Sequence, residues 1–127
     1  MVKDKVYYDS LTEFIISCAY KVSNQLGSGF LEKVYENAMA IELMSSGLNI
    51  ETQKPIKVHY DSQVVGEYFA DMVVDDEIIV ELKAVKTIEA IHFAQCQNYL
   101  KATGKKLGLL INFGGERVMV RRVANGL

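Results

Sequence analysis

The stretch Ile78-Ile79-Val80-Glu81-Leu82-Lys83-Ala84-Val85 constrains the fold more than any other feature of this chain, because it is apolar on both faces of an extended backbone. Successive side chains of a strand point to opposite sides. Ile78, Val80, Leu82 and Ala84 therefore share one face, and Ile79, Glu81, Lys83 and Val85 share the other. A strand apolar on both sides has to be covered on both sides, which calls for a sheet held between two layers. One of those covered faces also carries a carboxylate and an ammonium. Burying a charge costs several kcal/mol unless it is paired or coordinates a metal. Two explanations compete: a structural Glu81 to Lys83 ion pair at a sheet end, or a metal site that a third group completes.

The segments around this strand supply both the layers and the third group. Ser10-Leu11-Thr12-Glu13 has the form of a capping box, followed by Leu11, Phe14, Ile15, Cys18, Ala19, Val22 and Leu26 at helical spacing. A helix ending at Gly27 is expected. A second helix after Gly29, with Leu31, Val34, Tyr35, Ala38 and Ile41 on its buried side, should end near Ser45-Ser46-Gly47. Three β-rich runs come next at roughly 48–60, 64–74 and 77–85, with Pro55 breaking the first, and Asp61-Ser62-Gln63 and Asp75-Asp76 as turns. Turns this short imply antiparallel hairpins. Thr87 is a candidate N-cap for a helix through Ala102, closed by Gly104. Leu107 to Phe113 then reads as a buried strand, and a final strand near 117–123 comes after Gly114-Gly115. The order ααβββαββ, without linkers or repeats, predicts a mixed α/β sheet flanked by helices.

With 127 residues, half of them hydrophobic and 24% charged, one domain spanning 1–127 is expected. No apolar run approaches the roughly 18 residues that cross a bilayer, so a cytoplasmic protein without membrane contact is expected. Cys18 and Cys96 belong to no CxxC or CxxH pattern and read as small buried apolar residues. The net charge of −2 argues against a protein that coats nucleic acid by bulk electrostatics. The charge is uneven, however: Lys101, Lys105, Lys106, Arg117, Arg121 and Arg122 face Glu116 alone after residue 100, a balance of +5 against −7 before it. A local basic face and a solvated surface are both open readings. Gly27-Ser28-Gly29 is not a phosphate loop, since no strand precedes it and no Gly-Lys-Ser/Thr comes after it.

Asp71 lies ten residues before Glu81, on the neighbouring strand of a hairpin that ends in Glu81-Leu82-Lys83. By count, an acid so placed before Glu/Asp-x-Lys arises in roughly one chain in six of this composition; the hairpin context is what gives it weight. Two carboxylates with waters suit Mg²⁺ or Mn²⁺, which polarise a phosphate and acidify a bound water. Lys83 would stabilise developing charge or orient that water. Glu32 and Tyr35 share a face of the second helix, and Gln95 and Tyr99 share one of the third with His92 and Cys96. The two histidines, His59 and His92, are weak ligand candidates.

These stretches together resemble the GxxExxY family, a branch of the PD-(D/E)xK nuclease superfamily. The resemblance covers Leu26 to Glu36, Ala70-Asp71 with Val80 to Ala84, Ala94 to Gly104, Leu109 to Gly114, and Arg121-Arg122. One departure is the histidine that relatives often carry before Leu-Gly, where Ser23 follows Val22 here. The resemblance implies a restriction-endonuclease-like αβββαβ core with an extra N-terminal helix and a C-terminal strand. It implies that Asp71 and Glu81, with the Leu82 carbonyl and Glu32, hold a divalent ion while Lys83 assists catalysis. Gln95 and Tyr99 match a polar pair beside the DNA cleft, with Tyr35, Lys101, Arg121 and Arg122 as further substrate contacts. The expected function is metal-dependent hydrolysis of phosphodiester bonds in DNA, with a homodimer or partner protein to widen the grip. The alternative is a non-catalytic nucleic-acid or protein-binding module that kept the fold.

Overall fold

The computed structural model describes residues 2–127. Its elements run α1 (Lys5–Leu26), α2 (Glu32–Met44), β1 (Ile50–Tyr60), β2 (Gln63–Val74), β3 (Ile78–Lys83), α3 (Ala90–Thr103), β4 (Leu107–Asn112) and β5 (Met119–Ala124). The strands lie in the order β1-β2-β3-β4-β5. All neighbours are antiparallel except β3 and β4, whose parallel pairing requires the crossover that α3 provides. This is the mixed α/β arrangement expected, compatible with a restriction-endonuclease-like fold.

The two-sided strand sits at the centre. Ile78, Val80 and Leu82 join α1 and α2 in the larger core with Tyr35, Met39, Leu43 and Phe113. Ile79 packs on the opposite side with Cys96, Tyr99 and Leu100 of α3. Asp61 and Ser62, and Asp75 and Asp76, all adopt positive φ, so both hairpins turn as the sequence indicates. Gly27 ends α1 at φ 70°, its N–H bonded to the Ser23 carbonyl at 2.8 Å.

Several local expectations give way. The helix α1 begins at Lys5 rather than at the Ser10 box, because Asp4 accepts the Tyr7 N–H and Tyr8 bonds Glu77 at 2.6 Å. Those contacts hold the added N-terminal turn in place. Pro55 does not break β1, since β1 is the sheet's edge and one side of an edge strand lacks ladder partners. On α2 the buried stripe is Tyr35, Glu36, Met39 and Leu43, leaving Leu31, Val34 and Ile41 exposed; on α1, Phe14 is exposed. The helix packs one position round from where its apolar residues alone would turn it. Thr87 caps nothing: α3 starts after Glu89, whose carboxylate takes the His92 N–H while His92 Nδ1 accepts the Glu89 N–H at 2.9 Å.

The sheet is split on one side of β3. Strands β2 and β3 pair only from Met72↔Val80 to Val74↔Ile78, whereas β1 and β2 stay paired out to Tyr60↔Gln63. Beyond Asp71 the β1–β2 hairpin therefore leaves β3 and projects as an arm.

Candidate active site

The point where β2 parts from β3 is where the acids lie. Asp71 donates its backbone N–H to Glu81 Oε1 at 3.0 Å, and Leu82 donates its backbone N–H to Asp71 Oδ2 at 2.8 Å. Each carboxylate thus takes a ladder donor that the opposite strand would otherwise have taken. Both side chains are almost wholly buried, with Asp71 9% and Glu81 3% exposed. This reciprocal bonding fixes their rotamers and leaves lone pairs on the oxygens.

A third and fourth acid come from α2. Glu36 is buried and is bonded by Lys33 and by Gln53 Nε2 at 2.7 Å, and the same Gln53 nitrogen reaches Asp71 Oδ1 at 3.3 Å. Gln53, opposite Asp71 in β1, adopts a left-handed φ of 50°, and its amide bridges the two acids from there. Glu32 stands one turn before Glu36, open to solvent. From the other face of the sheet, Gln95 of α3 accepts from Lys83 Nζ at 3.0 Å.

Burial raises the Glu81 carboxyl to about 8, with the Asp71 charge adding to it. Asp71 is raised by burial too, against the lowering effect of the Leu82 N–H. Glu32 is raised by desolvation and then by Asp71, with Lys83 opposing. Tyr99 is pushed up to about 12 by burial and by the charges of Glu81 and Asp71, and Cys96 likewise by burial and Glu81. Both remain protonated, and Cys96 is the buried apolar residue expected. A cluster of acids whose charging is opposed by its neighbours is one that a bound cation relieves.

Among the described residues no three His, Cys, Asp or Glu side chains converge tightly enough to hold an ion by themselves. Asp71 and Glu81 are turned toward the backbone of the facing strand, and Glu36 is drawn off by Lys33 and Gln53. The donor set still fits a hard divalent ion, because Mg²⁺ and Mn²⁺ are ordinarily bound through one or two carboxylates and keep several waters.

Of the sequence-derived candidates, Asp71, Glu81, Lys83, Glu32, Gln95 and Tyr99 gather around this point. Tyr35 does not. It is wholly buried, stacked on Phe113 at 4.6 Å, donating its hydroxyl to the Gly27 carbonyl at 2.6 Å and accepting the Phe30 N–H. It fastens the turn between α1 and α2 and offers no surface to a substrate. Arg122 is bonded to Asp9 and Thr12 of α1, and Arg121 to the Val120 carbonyl, so neither touches the acids. Lys101 lines a groove beside Gln95.

Sequence reasoning missed Glu36 and Gln53. Glu36 had a signal, since it shares a stripe with Met39 and Leu43 at i, i+3 and i+7, and a carboxylate in an apolar stripe asks for a partner. Gln53 had none, because its role comes from a left-handed backbone conformation within β1.

A family model described as the PD-(D/E)XK nuclease superfamily matches residues 9–123. A solved structure described as "Crystal structure of SSO0001" is similar in fold, with a TM-score of 0.55 at 19% identity. The match covers 95% of this chain and 61% of that one, so this chain spans less than two thirds of its length. Among curated proteins none matches.

Proposed function

This chain belongs to the PD-(D/E)XK nuclease superfamily, and from that premise we propose that it is a divalent-metal-dependent nuclease hydrolysing phosphodiester bonds in DNA. The observation that carries the reading is the reciprocal bonding of Asp71 and Glu81 at the split between β2 and β3. Asp71 and Glu81 would hold the ion, Mg²⁺ or Mn²⁺, with the Leu82 carbonyl and Glu32 as further ligands. The bound ion supplies Lewis-acid polarisation of the phosphate and a more acidic water. Lys83, aimed by Gln95, pairs with the phosphate oxygens as negative charge builds on them. Gln95 and Lys101 line the approach to that centre.

The same proposal takes residues 1–127 as one domain and places it in the GxxExxY branch on the residues that carry that resemblance. It also includes a cytoplasmic setting, in keeping with two buried free thiols. No helix among the described residues is long and apolar enough to cross a membrane. The net charge is −2 and the basic residues gather after residue 100, so a second copy or a partner protein would widen the grip on nucleic acid.

Cleavage of labelled DNA with Mg²⁺ or Mn²⁺ tests the reading. Asp71→Asn should lower the rate at least roughly 100-fold; equal rates for the variant and the wild type would sink the site. The loose gathering of acids favours a second reading, a nucleic-acid or protein-binding module without turnover. Affinity for DNA that is unchanged by Glu81→Gln, with no cleavage under any metal, would support that one.

A further inference from the structure

A groove of about 680 Å³ runs between α3 and the projecting β1–β2 arm, and Gln95 is among the residues that line it. The same Gln95 accepts from Lys83, so the groove opens directly beside the acidic centre. Its floor is aromatic. Tyr99 is buried, and Tyr68 lies against it, with ring centroids 5.7 Å apart and planes tilted by 45°. Tyr68 is 51% exposed, so this aromatic side chain presents surface to solvent on the arm. Between apolar side chains such as Val58 and Ile91, the groove is also lined by Asn98, His59 and Lys101, which bring an amide, an imidazole and an ammonium.

We infer that this groove takes an unpaired nucleobase of a single strand, stacked on Tyr68, while the phosphate joined to it lies at Asp71 and Glu81. Each part of the groove has a use in that arrangement. A solvent-accessible aromatic ring can stack on a base of any identity, because every base has a π-face. The amide and imidazole offer donors and acceptors to the base edge, which is free only when the base is unpaired. Lys101 meets the next phosphate along the strand. Tyr68 is three residues from Asp71 on the same strand, about 10 Å at 3.3 Å per residue, a separation suited to a nucleotide attached to the scissile phosphate. A paired duplex offers no base to this groove, since its bases are stacked inside and their edges are paired. The inference rests on the nuclease reading only in naming which phosphate sits at the acids. It narrows the substrate to single strands, frayed ends or flipped nucleotides.

The test uses the whole chain and measures binding in low salt without divalent ion, so it needs no turnover. The probes are a labelled oligothymidylate and a labelled duplex of equal length. The single strand should bind at least tenfold tighter than the duplex, and Tyr68→Ala should weaken its binding roughly 5- to 100-fold. The chain contains no tryptophan, so Tyr68→Trp is both the conservative rescue and a unique fluorophore. It should keep wild-type affinity and be quenched as the strand binds. Equal affinity for the two probes, wild-type binding by Tyr68→Ala, or a Tyr68→Trp signal that oligothymidylate leaves unchanged would overturn the inference. A chain that is quenched by oligothymidylate but cleaves nothing with Mg²⁺ or Mn²⁺ upholds the groove and overturns the nuclease reading.

Discussion

Replacing Glu81 by Gln should make this protein more stable near neutral pH while weakening its response to metal. Glu81 is 3% exposed and its carboxyl is raised from 4.5 to about 8, chiefly by burial and then by the charge of Asp71. Between those two values the folded chain holds a proton that the unfolded chain has released. Stability from this group is therefore fully present below pH 4.5 and is lost as the pH rises toward 8. One proton's difference changes the folded-to-unfolded ratio about tenfold per pH unit, so the accumulated loss at pH 7 is roughly 3 kcal/mol. Gln keeps the shape of Glu and its carbonyl can still accept the Asp71 N–H, yet it has no charge to bury. Urea unfolding followed by circular dichroism, from pH 4.5 to pH 8 without divalent ion, reads the difference. Glu81→Gln should match the wild type at the acid end and exceed it increasingly toward pH 8. Mn²⁺ should restore the wild type at the alkaline end and stabilise the variant much less, because at position 81 a cation can replace the missing proton only where there is a charge to neutralise. Parallel stability curves for the two chains across this range would refute the reasoning, since burial would then not oppose ionisation of Glu81.

Gln53→Ala removes the amide that spans Glu36 and Asp71; divalent-ion affinity measured by calorimetry should fall about 10- to 100-fold, as for other groups that orient ligands from behind. Gly114→Ala would drive a Cβ into the backbone of Ala84 and Val85. Because backbone cannot move aside as a flexible side chain can, the melting temperature should drop by an amount equivalent to roughly 2–4 kcal/mol.

The two-sided apolar run at 78–85 determined a buried central strand, and the short Asp-rich turn at 75–76 determined that Asp71 would lie near Glu81. Both come from local chemistry: strand periodicity is fixed at two, and few residues tolerate the positive φ of a tight turn. The resemblance carried by the separate motif segments added the superfamily and pointed to Gln95. Periodicity was less able to orient helices, as Leu31, Val34 and Ile41 demonstrate. Which stripe a helix buries depends on where its neighbours sit, and on α2 a position inside that stripe went to a carboxylate, Glu36.

Only the tertiary structure decided how the acids are held. The ladder between β2 and β3 stops at Met72 and Val80, and the backbone donors freed there are taken by Glu81 and Asp71 across the gap. No pattern along the chain encodes that exchange, because it depends on the arm twisting away and on Gln53 entering a left-handed conformation to bridge two acids. Tyr35 and Arg122 were separated from the centre in the same way, one spent on the Gly27 turn and the other on Asp9. The sequence thus determined which charged groups would be forced toward the interior, and the packing determined which of them face one another.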